Sequence, residues 1–326
     1  MWRGPRAAPW LLLLAGCAAG EARGDQGARA PAAALAVVEP AREAATREPE
    51  PAPDPTPSPR RPAFFAEATL ENAAFRTPGA PSAVVYGSAG LDPSQPLDVV
   101  VFVHGWSGCA RALARGGEVA CRDGMRPTPG WDLAERFREA GVPGLFVVPQ
   151  LAFLVRDGSA GRFVEEGRFR AFLEELLGAL GAELGGPADL GRVRSITLLA
   201  HSAGYETTLA ILSRGGVGSL VRAVVLFDAL YRGHGRFADW VLEAPARRLV
   251  SLYGAAGRTV SQSELLGARV RRPLGPALAY DAPGALEGLV RDHRVVIARA
   301  SAPHGDVPAR HMAEVLRGLR PSLVAE

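Results

Sequence analysis

Three residues able to do nucleophilic chemistry together stand in a workable order along this chain: Ser202, Asp228 and His304. Ser202 lies in Ala200-His201-Ser202-Ala203-Gly204, where an apolar run gives way to a helical pattern. A small residue two before the serine and a glycine two after it let the chain turn sharply and lift the hydroxyl clear of the backbone. A hydroxyl is a weak nucleophile until a base takes its proton, and an imidazole held by a carboxylate is well suited to that task. His304 sits in the loop Ser301-Ala302-Pro303-His304, ahead of a helix beginning near Ala309, and can reach over Ser202 as general base. Asp228 ends the apolar run Arg222–Phe227. Each also has a bland reading: a helix-capping serine, a turn aspartate, an exposed loop histidine. Among the other histidines, His201 is expected to line the sheet, His311 to pack or face solvent within its helix, and His234 and His293 to lie at the surface.

Such residues work only if regular elements hold them. Strands are predicted at Ala66–Asn72, Ala83–Ser88, Leu97–Val103, Leu145–Val148, Val193–Ala200, Arg222–Phe227, Arg248–Tyr253 and Arg294–Ala298. Val99–Val103 and Ile196–Ala200 are unbroken apolar runs, the pattern of strands buried on both faces of a parallel sheet. Helical patterns cover Trp131–Ala140, Glu166–Leu184, Ala203–Arg214, Arg236–Glu243 and Ala309–Leu319. Strands alternating with helices give a doubly wound sheet. No helix separates the first two strands, so the sheet is expected to begin antiparallel. There is no internal repeat.

With the elements in place, Ala200–Gly204 resembles the nucleophile elbow of the α/β-hydrolase fold, usually Gly-x-Ser-x-Gly, with Ala200 replacing the first glycine. The resemblance covers about residues 95–320. It implies an α/β fold with a mostly parallel eight-stranded sheet flanked by helices. It also implies an oxyanion loop, matched by Phe102-Val103-His104-Gly105-Trp106 after the most apolar strand. Backbone N–H groups of Trp106 or Gly105, and of Ala203, are then the expected oxyanion donors, with His104 ordering the loop. The family's acid follows the serine and precedes the histidine. Most members place it after the strand that here ends Leu252-Tyr253-Gly254, where no carboxylate stands, so Asp228 is the choice and Glu264 the fallback. The stretch Ala229–Ala246 holds one helix and no room for a large lid domain. The longer loops Ser107–Gly130 and Ala152–Gly167 are expected to build the substrate pocket, with Trp106 and Phe153 as candidate apolar walls. Six arginines against five acids in those loops give no charge hint.

Composition sets the remaining bounds. The 326 residues include 37 basic ones, every one arginine, interspersed with 34 acidic ones. No basic face emerges, which excludes a nucleic-acid reading. Arg3 and Arg6, an apolar run from Trp10 to Ala15 too short to span a bilayer, and Leu14-Ala15-Gly16-Cys17 resemble a bacterial lipoprotein signal with Cys17 as the lipidated residue. An ordinary secretory signal with a chance cysteine is the alternative. Cleavage before Cys17 lowers the net charge from +3 to about +1. Eight prolines between Pro40 and Pro62 mark residues 18–61 as a tether, which as a flexible coil spans roughly 37 Å. Residues 63–326 form the expected catalytic domain.

Cys109 and Cys121 are left to form a disulfide or remain two buried thiols, and no spacing suggests zinc or another metal. No cofactor is implied. The expectation is a lipid-tethered serine hydrolase of the bacterial envelope acting on small or lipid-like carboxylic esters. An amidase or peptidase on envelope material and a catalytically silent binding protein are the alternatives.

Overall fold

The computed structural model describes residues 62–324 apart from residue 256; Cys17, the signal segment and nearly all of the tether fall outside them. The run Leu97-Asp98-Val99-Val100-Val101-Phe102-Val103 is buried along its whole length. Its side chains alternate between two cores, Val99, Val101 and Val103 facing one, Val100 and Phe102 the other. A strand can be apolar at every position only when both faces are covered, and this sheet has helices on both sides.

In chain order the elements are β1 (Phe64–Ala68), β2 (Ala83–Gly87), β3 (Leu97–Val103), α1 (Ala110–Ala114), β4 (Glu118–Val119), β5 (Thr128–Pro129), α2 (Leu133–Ala140), β6 (Leu145–Pro149), α3 (Arg168–Ala179), α4 (Gly181–Leu184), β7 (Val193–His201), α5 (Gly204–Arg214), β8 (Val221–Phe227), α6 (His234–Glu243), β9 (Arg248–Tyr253), α7 (Arg258–Leu274), β10 (Leu278–Tyr280), α8 (Leu286–Asp292), β11 (Val295–Arg299) and α9 (Val307–Val324). The main sheet runs β1-β2-β6-β3-β7-β8-β9-β11-β10. β1 pairs antiparallel with β2, and β2 antiparallel with β6; every later pairing is parallel.

α3, α5, α6 and α7 cover one face, burying Phe169, Phe172, Ile211, Phe237 and Leu266. α1, α2, α8 and α9 cover the other, burying Leu113, Phe137, Val290, Met312 and Leu316. Phe163, Phe169 and Phe172 meet with ring centroids 5.1–5.8 Å apart. Fully burying such a side chain contributes about 1.5–3 kcal/mol. Among the described residues, no helix is long and apolar enough to cross a membrane.

The structure corrects the sequence reading in several places, among them the short elements α1, β4, β5 and α8, for which no pattern is predicted. The sheet has nine strands rather than eight, because the three-residue β10 pairs with β11 at the edge. The first strand is Phe64–Ala68, shifted from Ala66–Asn72. The Glu175 carboxylate takes the N–H groups of Glu71 and Asn72 at 2.7 and 2.8 Å and draws that segment away from the sheet. The helix expected over Glu166–Leu184 breaks at Leu180 into α3 and α4, between Gly178 and Gly181. The seventeen-residue α7 was not expected; its buried stripe is Thr259, Ser263, Leu266, Val270 and Leu274, and its first two positions are hydroxyl side chains.

Cys109 and Cys121 form a disulfide with Cα atoms 5.8 Å apart, closing a loop that contains α1 and β4, whose partner β5 follows the second cysteine. The Cys109 sulfur also caps α1, accepting the Ala112 N–H. From the loop length, reduction should lower the unfolding free energy by about 3 kcal/mol, read as a lower urea midpoint. An unchanged midpoint on reduction would show that the crosslink does not constrain the unfolded chain.

Candidate active site

β7 ends at His201, Ser202 takes a left-handed backbone (φ 54°), and α5 begins two residues later. The turn demands glycine at 204: a Cβ there would lie 2.2 Å from the Val103 carbonyl oxygen on neighbouring β3. Ala200 is fully buried, so the alanine in place of the usual glycine fits its strand.

Ser202 sits at the carboxyl end of a central strand, whose two strand neighbours deliver Asp228 and the Gly105-Trp106 loop, while His304 comes from the loop after β11. From β8 comes Asp228, itself left-handed at φ 44°. Its Oδ1 accepts hydrogen bonds from the Gly254 N–H at 2.8 Å and the Thr259 hydroxyl at 2.6 Å. Its Oδ2 accepts from His304 Nδ1–H at 2.6 Å. Burial alone would raise the Asp228 carboxyl, but the hydrogen bonds from His304, Thr259 and Gly254 outweigh it and hold it below the ordinary carboxylate value. A Cβ at Gly254 would come within 2.9 Å of the Asp228 carboxylate. The end of β9, where a family acid is more often found, is thus filled by the carboxylate from β8. Glu264 lies on the exposed side of α7.

His304 Nε2 faces Ser202 Oγ at 3.0 Å, the serine hydroxyl donating. Ser202, His304 and Asp228 form one continuous hydrogen-bonded chain. His201, expected merely to line the sheet, holds this arrangement in place: its Nε2–H donates to the His304 carbonyl at 2.9 Å. The two rings lie 4.7 Å apart, with Trp131 edge-on to His201. Burial, followed by the nearby His304, pushes His201 down to about 4, so it stays neutral.

β3 supplies the remaining wall. The buried His104 donates through Nδ1–H to the Gly105 carbonyl at 2.8 Å, and its Nε2 accepts the Leu151 N–H at 3.0 Å. These two bonds fix the tautomer and pin the loop to the end of β6. Burial pushes His104 to about 4 as well. A Cβ at Gly105 would stand 2.7 Å from Ser202 Cβ and 3.0 Å from the Ala203 nitrogen, so the Gly105-Trp106 backbone lies directly against the elbow.

Two cavities open from Ser202. One of about 390 Å³ is lined by Trp106, the Cys109–Cys121 disulfide, Trp131 and Leu154. The other, about 740 Å³, is lined by Arg156, Tyr205, Glu206, Tyr231, Arg232 and Arg258. Both expected loops contribute, but so do the starts of α5 and α7 and the turn after β8, which the sequence reading did not include. Tyr231, three residues after Asp228, lines this cavity with Ser202; burial and the Asp228 charge raise its phenol. Phe153 packs instead on the disulfide cluster, with Arg122 over its ring. His311 is buried in α9 against Glu314 and Ser301, while His234 and His293 are half-buried and hydrogen-bonded to Gln262 and Leu289. Between β8 and β9 stands α6 with no inserted domain. Among the described residues, no group of three His, Cys, Asp or Glu side chains is placed to hold a metal.

Strand order, crossover and elbow together define the α/β-hydrolase fold. No protein-family model matches the chain, and no curated protein matches it in sequence. Among solved structures it is similar to a feruloyl esterase module from Clostridium thermocellum complexed with sinapinate, at TM-score 0.49 and 12% identity over 82% of this chain and 92% of that one. It is also similar to a hormone-sensitive lipase from a metagenome library, at TM-score 0.40 and 11% identity over 81% and 87%. Esterase B from Lactobacillus rhamnosis matches at TM-score 0.40 and 10% identity over 80% and 86%.

The two neutral histidines make the fold sensitive to acid. Their ordinary value is 6.5, so below that pH the unfolded chain takes up protons that the native state refuses. Stability therefore falls between pH 6.5 and about 4, by up to about 3 kcal/mol for each histidine. Urea unfolding across that range should show the loss, and His201→Gln should reduce its steepness. Identical pH dependence in the two proteins would mean that His201 is not held neutral by burial.

Proposed function

We propose that the protein is a serine hydrolase that cleaves carboxylic esters through an acyl-enzyme. The observation that carries the reading is the Asp228–His304–Ser202 hydrogen-bonded chain, ending on a left-handed serine at the tip of a central strand. In the proposed mechanism Ser202 Oγ attacks the ester carbonyl carbon as His304 Nε2 takes its proton. The developing oxyanion is met by backbone N–H groups of Ala203 and of Trp106 or Gly105. His304 then protonates the departing alcohol, and water repeats the sequence to release the acid. Asp228 keeps Nδ1 protonated and stabilises the imidazolium. We further propose that Cys17 carries lipid, tethering the enzyme to a membrane of the bacterial envelope.

A fluorophosphonate probe should label the purified protein at Ser202, and Ser202→Ala should abolish both labelling and hydrolysis of para-nitrophenyl esters. Asp228→Asn should lower kcat by about 10³–10⁴-fold, while Glu264→Gln stays near the parent. No labelling of the parent protein would favour a silent binding role; labelling with negligible rates across an ester chain-length series would favour an amide substrate.

In bacterial cells, Cys17→Ser should move the protein from the membrane to the soluble fraction. Unchanged partition would sink the lipid-anchor proposal.

A further inference from the structure

We propose that the larger cavity beside Ser202 binds an anionic group, so that the preferred ester carries a carboxylate or phosphate on one of its two halves. This rests on the serine-hydrolase reading above and adds a substrate class to it. Arg156, Arg232 and Arg258 reach the same cavity from three separate segments: the loop after β6, the turn after β8 and the first residue of α7. All three are exposed, and among the described residues none makes an ion pair or a side-chain hydrogen bond. Other arginines of the chain are committed to acids, Arg111 to Glu67 and Asp123, Arg136 to Glu139 and Arg269 to Asp239, whereas these three converge uncommitted on the cavity that holds Ser202.

The cavity also contains two acids, and both carboxylates are engaged by neutral groups. Asp157 accepts the Ser159 N–H and hydroxyl, each at 2.8 Å. Glu206 accepts the Tyr205 hydroxyl at 2.8 Å. Neither is paired with any of the three arginines. The guanidinium groups are therefore left to the ligand, each with a planar fork of donors matched to an oxyanion.

Aromatic rings connect this basic rim to the reacting atoms. Tyr231 stands edge-on to His304 with centroids 6.3 Å apart, and Tyr205 lies 6.2 Å beyond Tyr231. A substrate half running along these rings from Ser202 ends among the arginines. The smaller cavity, which shares Trp106, Ser202 and His304 with the larger one, has no Arg, Asp or Glu in its lining. The serine thus divides a neutral slot from a basic cleft, and a substrate matching both is an ester with one uncharged and one anionic half.

Two matched pairs of esters test this on the full-length protein. The para-nitrophenyl monoester of glutaric acid is compared with para-nitrophenyl pentanoate, and butyrylglycerophosphate with monobutyrin. The first pair places a carboxylate on the acyl side, the second a phosphate on the alcohol side. The charged member of at least one pair should be favoured about tenfold in kcat/KM. That ratio should shrink toward unity in Arg232→Gln and Arg258→Gln, and in high salt. A protein that is labelled at Ser202 and hydrolyses the neutral esters, yet favours neither charged ester, overturns the anionic assignment alone. A preference that survives both substitutions overturns it too. Absence of both labelling and turnover overturns the serine-hydrolase reading and this assignment with it.

Discussion

The left-handed turn at Ser202 is the constraint on which the rest of the site depends. A non-glycine residue at φ 54° is strained, and it persists only where the surrounding structure leaves no alternative. Here β7 is locked between β3 and β8, and α5 is packed by its buried face onto the sheet. The Gly204 backbone meets the Val103 carbonyl so closely that the helix can start in only one place. Because β7 is central, the ends of β3 and β8 lie to either side of the turn. One neighbour contributes the His104–Trp106 loop and the other contributes Asp228. Only His304, the proposed general base, must come from farther away, and it arrives on the loop between β11 and α9.

Three histidines meet around this turn, and their surroundings give them different work. His304 is the one with substantial exposure, 43% of its side chain, and it alone bonds both a carboxylate and the serine hydroxyl. His201 and His104 are buried and face backbone carbonyls, where a neutral ring with one N–H is sufficient and a second proton would lack a partner. Each steadies one side of the site: His201 fixes the backbone of His304, and His104 fixes the loop against the elbow. An imidazole held neutral by burial is a constant donor, so the scaffold around His304 keeps the same hydrogen bonds.

How much of this was legible in the sequence follows from which signals are local. The unbroken run Val99–Val103 and the small–Ser–Gly pattern at Ala200–Gly204 are local, and strands, elbow and parallel order could be read from them. Asp228 was legible by its place after an apolar strand. Why it, and no residue after β9, meets His304 was not, since Gly254 looks like an absence in sequence and is in fact the space the carboxylate occupies. α7 was hidden because the start of its inward stripe is Thr259 and Ser263, whose side chains carry no apolar periodicity. β10 was hidden because three residues at an edge show no pattern. The larger cavity was only half legible: Arg156 lies in a long loop, whereas Arg232 and Arg258 sit in short turns that the order of strands brings together.

The same reasoning explains why counting charges along the two long loops gave no indication of substrate. Arg111 and Arg115 turn toward Glu67, and Arg162 toward Glu165, which commits three of the six loop arginines before they can bear on the site. A side chain bears on the substrate according to whether it is already paired, and pairing is a property of the folded chain. Arg232 and Arg258 flank the two turns that frame Asp228, one just after it and the other beside Thr259, which bonds it. The backbone that places the acid therefore also places the positive rim. An anion bound there lies near a carboxylate already committed to His304, Thr259 and Gly254, so the nearby negative charge is shielded by its own hydrogen bonds rather than opposed to the ligand. Asp228 and the proposed basic cleft can share the carboxyl end of the central strands because the first is fully satisfied and the second is not.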